Sequence, residues 1–271
     1  MPDRVVRILS DLHYRDRTGL QSLDALEPLL DGATELILNG DSLEARHPSS
    51  RALEDELRCY FLKKGMPVTF LAGNHDPAIS ESHERILAHG RIWVTHGDLF
   101  WDNAAPWSRY AKLMAELIAE ERLIREITPQ SGDLSDFFAA HRAAHLRCGV
   151  HHDPSNRSLR ARLAQLIRTL LPPKQMLRMI QAWRQAPEHA FSWAKKHRPE
   201  AQFILFGHIH YPAVWRDRTS SRIAINTGSF EWPFRGWCVD VSDQSLTVRG
   251  LVRQGDRYRL GPTKNAFPLA K

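Results

Sequence analysis

The sequence predicts an α/β fold interrupted by a helical insertion, and three features of the 271-residue chain support this prediction. Up to residue 103, short apolar runs alternate with helical patterns, which is typical of parallel strands joined by helices. Strand patterns are then absent as far as residue 200, where helix-forming residues dominate. Closely spaced strand patterns return from Gln202. We therefore expect a core formed by residues 1–103 and 201–271, with the insertion at 104–200.

Four strands are predicted in the first part of the core, with helices between them. Runs of apolar and β-prone residues place the strands at Val5–Leu9, Glu35–Leu38, Val68–Leu71 and Ile92–Thr95. Apolar residues with a helical period place helices at Leu20–Leu30, Ser50–Lys63 and Ser80–Ala88. This alternation favours βαβ units and a largely parallel sheet.

Five strand patterns follow the insertion, with connections too short for crossover helices. They lie at Phe203–Phe206, Ala213–Arg216, Arg222–Ile225, Trp237–Val241 and Leu246–Arg249. Strands this close in the chain favour an antiparallel meander, which we expect to complete a second sheet. The tail after Gly261 is expected to be loose.

The insertion is predicted to be helical and basic. Helical faces are indicated at Tyr110–Ile118 and Leu159–Leu170, and a further helix is expected over Lys174–Lys196. Between His141 and Arg198 there are twelve lysines and arginines against two acidic residues, although the formal net charge of the whole chain is +6. This basic excess favours an anionic partner. The histidines of this region follow no ligand pattern and are interpreted as surface residues: His141, His145, His151, His152, His189 and His197.

The cysteines and the N-terminal residues indicate a cellular compartment. Cys59, Cys148 and Cys238 lie far apart and form neither a CxxC pair nor an even disulfide framework, which favours a reducing environment. The segment before Val5 is too short and too charged for a signal peptide. No stretch reaches the roughly 18 apolar residues of a membrane span. We expect a cytoplasmic protein, with peripheral contact to the inner face of the membrane as an open alternative.

Residue types that bind metals follow the ends of five predicted strands. They are Asp11 and His13 after the first strand, Asp41 after the second, Asn74, His75 and Asp76 after the third, His96 and Asp98 after the fourth, and His208 and His210 after Phe203–Phe206. Because open α/β sheets assemble their sites at the carboxyl ends of strands, we expect these side chains to converge.

The predicted ligands are carboxylates, imidazoles and an amide, without a thiolate. This donor set favours Mn²⁺, with Fe or Zn²⁺ as alternatives. Seven of these residues, more than one ion can hold, are predicted as ligands: Asp11, His13, Asp41, Asn74, His96, His208 and His210. Two divalent ions that share a carboxylate are therefore predicted, and two-metal sites serve displacement at phosphorus.

The order of these motifs resembles that of the calcineurin-like metallophosphoesterases. The motifs are Asp11-x-His13, Gly40-Asp41, Gly73-Asn74-His75-Asp76, His96 and Gly207-His208-x-His210. The resemblance implies a four-layer α/β/β/α sandwich with a dinuclear metal site between its sheets. One metal would be held by Asp11, His13, Asp41 and His210, and the other by Asp41, Asn74, His96 and His208, with Asp41 as the bridge. His75 would be the catalytic, non-ligating histidine near the departing oxygen.

Three features resemble the UDP-2,3-diacylglucosamine diphosphatases of lipid A synthesis. They are Gly40-Asp41-Ser42-Leu43-Glu44, His96-Gly97-Asp98, and a helical insertion ahead of Gly207-His208-x-His210. This resemblance implies a UDP-linked acyl sugar as substrate and a lipid-facing role for the amphipathic segment Leu159–Leu171. Those enzymes typically carry Arg where this chain has His75, and the Asn-His-Asp form is that of the wider family.

Three functions from different classes follow from these observations. The leading hypothesis is a metal-dependent hydrolase of a phosphoester or pyrophosphate in a phosphorylated small molecule or lipid-linked substrate, with residues 141–198 facing an anionic membrane. The second is a nuclease or nucleotide phosphodiesterase whose basic insertion follows a phosphate backbone. Nucleic acid is less favoured because the insertion lacks an aromatic-interleaved platform. The third is a non-catalytic, metal-bound scaffold that binds partners through the insertion.

Overall fold

The structure is a computed structural model that describes residues 4–16, 18–45, 49–128, 132–148, 173–231 and 236–269. The chain divides into two compact units, one formed by Met1–Gly97 with Arg198–Lys271 and the other by Asp98–His197. Within the described residues, the first unit contains two β-sheets and the second is helical.

The first nine strands of the first unit have four or five residues each, and the last two are longer. In chain order they are β1 (Val6–Leu9), β2 (Glu35–Asn39), β3 (Val68–Leu71), β4 (Glu84–Leu87), β5 (Ile92–Thr95), β6 (Phe203–Phe206), β7 (Ala213–Arg216), β8 (Ile223–Asn226), β9 (Trp237–Val241), β10 (Ser245–Gln254) and β11 (Arg257–Pro268). A 3₁₀ helix at Leu23–Leu29 precedes β2, and helix α1 (Ser50–Lys63) precedes β3.

These strands form two mixed sheets, each with three adjacent parallel strands. The first sheet has the order β11-β10-β9-β1-β2-β3 and the second has the order β4-β5-β6-β8-β7. Strands β1, β2 and β3 are parallel, and so are β5, β6 and β8. Every residue of β1, β5, β6 and β8 is buried, as expected for parallel strands covered on both faces. The predicted α/β fold is confirmed.

Two hydrophobic layers lie on the two faces of the first sheet. The layer that includes the 3₁₀ helix and α1 contains Leu9, Leu26, Leu38, Leu57 and Phe61. The layer that joins the two sheets contains Ile8, Ile37, Val94, Leu205 and Ile225. The sheets therefore pack face to face, and loops at the carboxyl ends of their parallel strands are free to carry polar residues.

Two helical predictions in the first part of the core are wrong in type. Glu84–Leu87 forms strand β4 because the edge of β5 gives its backbone an antiparallel partner. A pattern as short as Ser80–Ala88 does not distinguish a helix from a strand. In Leu20–Leu30, only Leu23–Leu29 is helical, and it is a 3₁₀ helix with Pro28 inside it. Proline has no backbone N–H to donate, which disfavours a longer α-helix there.

The predictions of a single meander and of a loose tail are also wrong. Strand β8 lies beside β6 in parallel orientation, while β7 occupies the edge of the second sheet. Strands β9 and β10 join the first sheet instead, because β9 pairs with β1. The tail forms β11, which pairs along the length of β10 and buries Phe267. Strands that follow one another in the sequence thus belong to different sheets. Local sequence patterns do not reveal which sheet a strand joins.

The second unit contains three α-helices in its described part. They are α2 (Ala111–Ile124), α3 (Leu134–Cys148) and α4 (Pro173–His197), and a short 3₁₀ helix at Asp98–Phe100 precedes them. Met114, Ile118 and Ala144 are among the residues that pack α2 against α3. The helix expected over Lys174–Lys196 is confirmed by α4, whereas Leu159–Leu171 lies outside the described residues. Nowhere in the described part of the chain is a helix both long and apolar enough to cross a membrane.

Candidate metal centre

The loops after β1, β2, β3, β5 and β6 bring the seven predicted ligands together. Asp11, His13, Asp41 and His210 each place a donor atom within 4.8 Å of the others, and Asp41, His96 and His208 form a second such group. Asn74 joins the second group through its side-chain oxygen. Asp41 is the residue that belongs to both groups. The side chains that were expected to converge at the strand ends therefore lie close together in the structure.

In the first group, the imidazoles of His13 and His210 face the two carboxylates. His210 Nε2 lies 3.1 Å from Asp11 Oδ1 and 3.3 Å from His13 Nε2. His13 Nε2 lies 4.0 Å from Asp41 Oδ2. Two imidazole nitrogens that face each other can share only one proton, whereas a cation between them would accept both lone pairs.

In the second group, Asn74 Oδ1 lies between two imidazoles. It is 3.1 Å from His96 Nε2 and 2.7 Å from His208 Nδ1. His96 Nε2 also lies 3.2 Å from Asp41 Oδ2. Imidazole nitrogens together with amide and carboxylate oxygens form a donor set suited to Mn²⁺, Fe or Zn²⁺. The two groups fit a pair of divalent ions bridged by Asp41, although metal binding by these residues stays a prediction.

The backbone at the centre adopts conformations that are costly for ordinary residues. Five of the seven residues have a positive φ, and they are Asp11 (52°), His13 (45°), Asp41 (51°), His208 (67°) and His210 (54°). Each such residue costs on the order of 1–3 kcal/mol unless the surrounding structure holds it in place. Glycine beside them gives the necessary space, because a Cβ on Gly207 would overlap the Asp11 carboxylate and one on Gly73 would overlap that of Asp41.

Opposite charges inside the centre shift the pKa values of its members. Burial opposes ionisation of Asp41, but the charges of His96 and His75 hold its pKa well below the usual range. Burial also opposes the charged form of His210, yet hydrogen bonds with Asp11 and Glu231 raise the pKa of that imidazole to about 10. In the metal-free protein the proton on His210 therefore occupies the place that a metal ion would take.

Glu231 is a site residue that no sequence motif predicts. Its Oε2 lies 3.0 Å from Nδ1 of His210, so the other nitrogen of that imidazole faces Asp11. Thr18 Oγ1 donates to Glu231 Oε1 over 2.7 Å. Glu231 follows the end of β8, and a polar residue after that strand is the signal that could have indicated it. A carboxylate in this position fixes the tautomer and orientation of a ligating histidine.

His75 pairs with Glu44, and the neighbouring Asp76 joins two loops of the centre. Nδ1 of His75 lies 2.6 Å from Glu44 Oε2. The Asp76 carboxylate accepts backbone N–H groups of Asp41, Ser42 and Gly73, and thus joins the loops after β2 and β3. Burial and the nearby Asp41 charge raise the pKa of Asp76 to about 7.

Four histidines of the insertion contradict the surface interpretation, since His141 is buried and His145, His189 and His197 are partly buried, while His151 and His152 lie outside the described residues. His141 is 2% exposed and His145 is partly buried, and both face Asp98 from helix α3. They are buried because α3 packs its Ala140 and Ala144 side into the helical unit. Asp98 Oδ2 lies 3.2 Å from His145 Nε2, so Asp98 is a partner of these histidines.

Part of the basic excess of the insertion is neutralised by ion pairs. Arg147 contacts Glu120 and Glu121, and Arg198 pairs with Glu84. The basic residues of the predicted lipid-facing segment Leu159–Leu171, which are Arg160, Arg162 and Arg168, lie outside the described residues. The described contacts thus reduce the charge available for a partner below that counted from the sequence.

Comparison with solved structures finds several chains that are similar to this one. It is similar to a predicted phosphoesterase from Streptococcus pneumoniae, with 16% identity, 99% of each chain covered and a TM-score of 0.43. It is also similar to a dimetal phosphatase from Danio rerio, with 14% identity, 96% of this chain and 99% of that chain covered and a TM-score of 0.44. Vacuolar Protein Sorting 29 from Cryptosporidium parvum has 10% identity, coverage of 99% and 100%, and a TM-score of 0.47.

The family assignment comes from the sequence. No curated protein matches the chain. A family model described as calcineurin-like phosphoesterase matches residues 5–212, a range that includes all seven predicted ligands and His75. Because this match spans well over half of the sequence and agrees with the resemblance seen in the motifs, the chain belongs to the calcineurin-like phosphoesterase family.

Proposed function

We propose that the protein is a dinuclear metal-dependent hydrolase of phosphoester or diphosphate bonds. The observation that carries this proposal is the sharing of Asp41 between two groups of inward-facing donors. Asp11, His13 and His210 would complete one ligand set, and the second would be completed by Asn74, His96 and His208. When bound, two divalent ions would neutralise charge on the phosphoryl oxygens and lower the pKa of the attacking water.

His75 is the residue proposed to move a proton. Its backbone N–H donates to Asp41 Oδ1 over 2.8 Å, which fixes its loop to the shared carboxylate. The Glu44 carboxylate at Nδ1 would fix the orientation of the ring. Nε2 of the same ring is then the atom that would give a proton to the departing oxygen. This division of roles agrees with a loop in which Asn74 binds metal and His75 does not.

The proposed substrate is a UDP-linked acyl sugar cleaved at its diphosphate, and the proposed metal is Mn²⁺, with Fe or Zn²⁺ as alternatives. Support for the substrate comes from Gly40-Asp41-Ser42-Leu43-Glu44 and His96-Gly97-Asp98, and from the helical insertion. We propose that residues 141–198 face an anionic membrane at the cytoplasmic side. None of the contacts in the described residues specifically favours a nuclease or a scaffold over this reaction.

Turnover by purified, metal-loaded protein tests the proposal. With Mn²⁺, the wild type is expected to hydrolyse bis-p-nitrophenyl phosphate and a UDP-linked acyl sugar. Asp41→Asn should lower the rate by more than about 100-fold, the scale of losing one transition-state contact. Asp243→Asn, which changes an exposed carboxylate after β9, is the matched control and should retain the wild-type rate. A wild type that is fully loaded with metal and inactive on all phosphorylated substrates would favour the scaffold.

A further inference from the structure

A second cluster of potential ligands lies within the helical unit. It consists of Asp98, in the 3₁₀ helix Asp98–Phe100, and of His141 and His145 on α3. One donor atom of each residue lies within 4.8 Å of the other two. His145 Nε2 is 3.2 Å and His141 Nδ1 is 4.0 Å from the same oxygen, Asp98 Oδ2. Three donors therefore face one small volume.

The helix presents both histidines in a spacing known to suit metal binding. Residues four apart lie on the same helical face, so His141 and His145 point in the same direction. Pairs of histidines at this spacing on a helix bind Zn²⁺ in metalloproteases, where the helix supplies a fixed separation. Ala140 and Ala144, on the same helix, are fully buried and hold α3 in its packing.

His141 carries an unsatisfied polar atom that faces this volume. Its side chain is 3% exposed, and Nδ1 has no hydrogen-bond partner among the residues that the structure describes. A buried polar atom without a partner costs about 1–3 kcal/mol. A neutral imidazole has one nitrogen lone pair to offer a cation. A cation between His141 and Asp98 would satisfy both groups.

Arg122 is the neighbour that opposes a cation here. Its Nη2 lies 3.4 Å from His141 Nε2, while its Nη1 pairs with Asp102 Oδ1 at 2.8 Å. If a metal ion binds Nδ1, the ring hydrogen must move to Nε2, and that nitrogen no longer accepts from Arg122. The guanidinium would then keep its pair with Asp102 and lose its contact with His141. Metal binding and the Arg122 contact therefore exclude each other.

We propose that Asp98, His141 and His145 form a mononuclear Zn²⁺ site, with water as the fourth ligand. Two imidazoles and one carboxylate match the nitrogen and oxygen ligands that Zn²⁺ takes in tetrahedral sites. The ion would link the 3₁₀ helix to α3. This site would be additional to the dinuclear centre and would not depend on it for ligands.

Metal content of the full-length protein tests the proposal. After loading with Zn²⁺ and removal of free metal, the wild type should contain three equivalents by elemental mass spectrometry. His145→Gln should contain two, with an unchanged circular dichroism spectrum, because this side chain is only partly buried and the variant should fold. His189→Gln makes the same change at a partly buried histidine of α4 and should retain three equivalents.

A second variant tests whether the Arg122 contact with His141 competes with metal binding. Arg122→Gln replaces the guanidinium with an amide whose oxygen can accept the Nε2 hydrogen of a ligating His141. The third Zn²⁺ should then bind about 10-fold more tightly, the lower end of effects from residues that contact a ligand. A wild type with only two equivalents would overturn the proposal, as would a His145→Gln protein that retains three. If two ions bind and phosphoesters are hydrolysed, the third site fails while the proposed function stands.

Discussion

His210 presents one imidazole nitrogen to the predicted ligands Asp11 and His13 and the other to Glu231. Glu231 itself is held by Thr18 and by the backbone of its own loop, whose Phe230 N–H donates to Asp11 O. Thr18 thus holds Glu231, and Glu231 orients the His210 imidazole in the metal-free protein. Loss of the carboxylate should therefore weaken metal binding even though Glu231 is not a predicted ligand.

Glu231→Ala should weaken Mn²⁺ binding about 10–100-fold, the usual effect of removing the partner of a ligating histidine. Glu231→Gln keeps an oxygen for the His210 Nδ1 hydrogen and should lose less affinity than the alanine variant. Isothermal titration of the metal measures both. Glu56→Gln, a change at an exposed carboxylate that contacts Tyr14, is the control. Equal affinities for all three variants and the wild type would refute the role given to Glu231.

At this scale the sequence predicts ligands better than the partners that orient them. Asp11, His96 and His208 each follow a recognisable strand end within a short motif, so residue type and position are sufficient. Glu231 and His210 are separated in the chain, and their contact depends on the placement of β8 beside β6. The contact between these two side chains exists only after β6 and β8 have paired in the sheet, so the sequence pattern alone does not predict it.

Strand ends deliver the ligands, and glycines allow those ends to approach one another. Gly207 directly follows the last residue of β6. Because it has no side chain, it leaves room for the Asp11 carboxylate from the loop after β1. His208, the next residue, donates its backbone N–H to that same carboxylate over 3.1 Å. The close contact between these two loops is therefore required for the ligand set that includes Asp11.

Gly207→Ala should destabilise the fold by about 1–3 kcal/mol, as overpacking of a tight contact does. It should also reduce metal content, because the added methyl group displaces Asp11. Urea unfolding and elemental analysis measure the two effects. Gly250→Ala is the matched control, since its Cβ would meet the flexible end of Lys264 at 3.2 Å. If Gly207→Ala has the same free energy of unfolding and the same metal content as the wild type, the close contact between the two loops is not required for the ligand set.

Most strands, including β3 and β7 at sheet edges, follow from their sequence patterns, whereas β4 and β11 do not. Ile92–Thr95 is apolar up to its final threonine and Phe203–Phe206 is apolar throughout, and because both strands are fully buried their patterns are clear. Glu84–Leu87 lies at a sheet edge with a mixed pattern, and its structure depends on its pairing with β5. Strand β11 is long and largely exposed, and it is held by β10. Where long-range pairing decides the structure, local periodicity carries little information.

The whole chain carries a formal net charge of +6, while its candidate metal centre brings carboxylates and imidazoles together in a buried place. His210 has a pKa of about 10 in the metal-free fold, against an ordinary value of 6.5. Because the folded state holds this proton more tightly than the unfolded chain does, the contribution to stability is complete below pH 6.5. It is lost as the pH rises through about 10.

Metal-free protein should therefore become less stable between pH 7 and 10, and His210→Gln should show a smaller loss. The measurement is the free energy of unfolding in urea, with chelator present, at several pH values. Metal affinity should rise over the same range, because the ion displaces the proton from His210. A metal-free wild type whose stability rises with pH relative to His210→Gln would show that the proton is not held there.

The most direct test of a centre that shares Asp41 is an anomalous difference map from crystals of the Mn²⁺-loaded protein. Two peaks about 3.5–4 Å apart are predicted in the first unit, the spacing of two-metal sites. One should lie beside Asp11, His13 and His210, the other beside Asn74, His96 and His208, with Asp41 in contact with both. A single peak, or two peaks that have no ligand in common, would contradict the dinuclear centre.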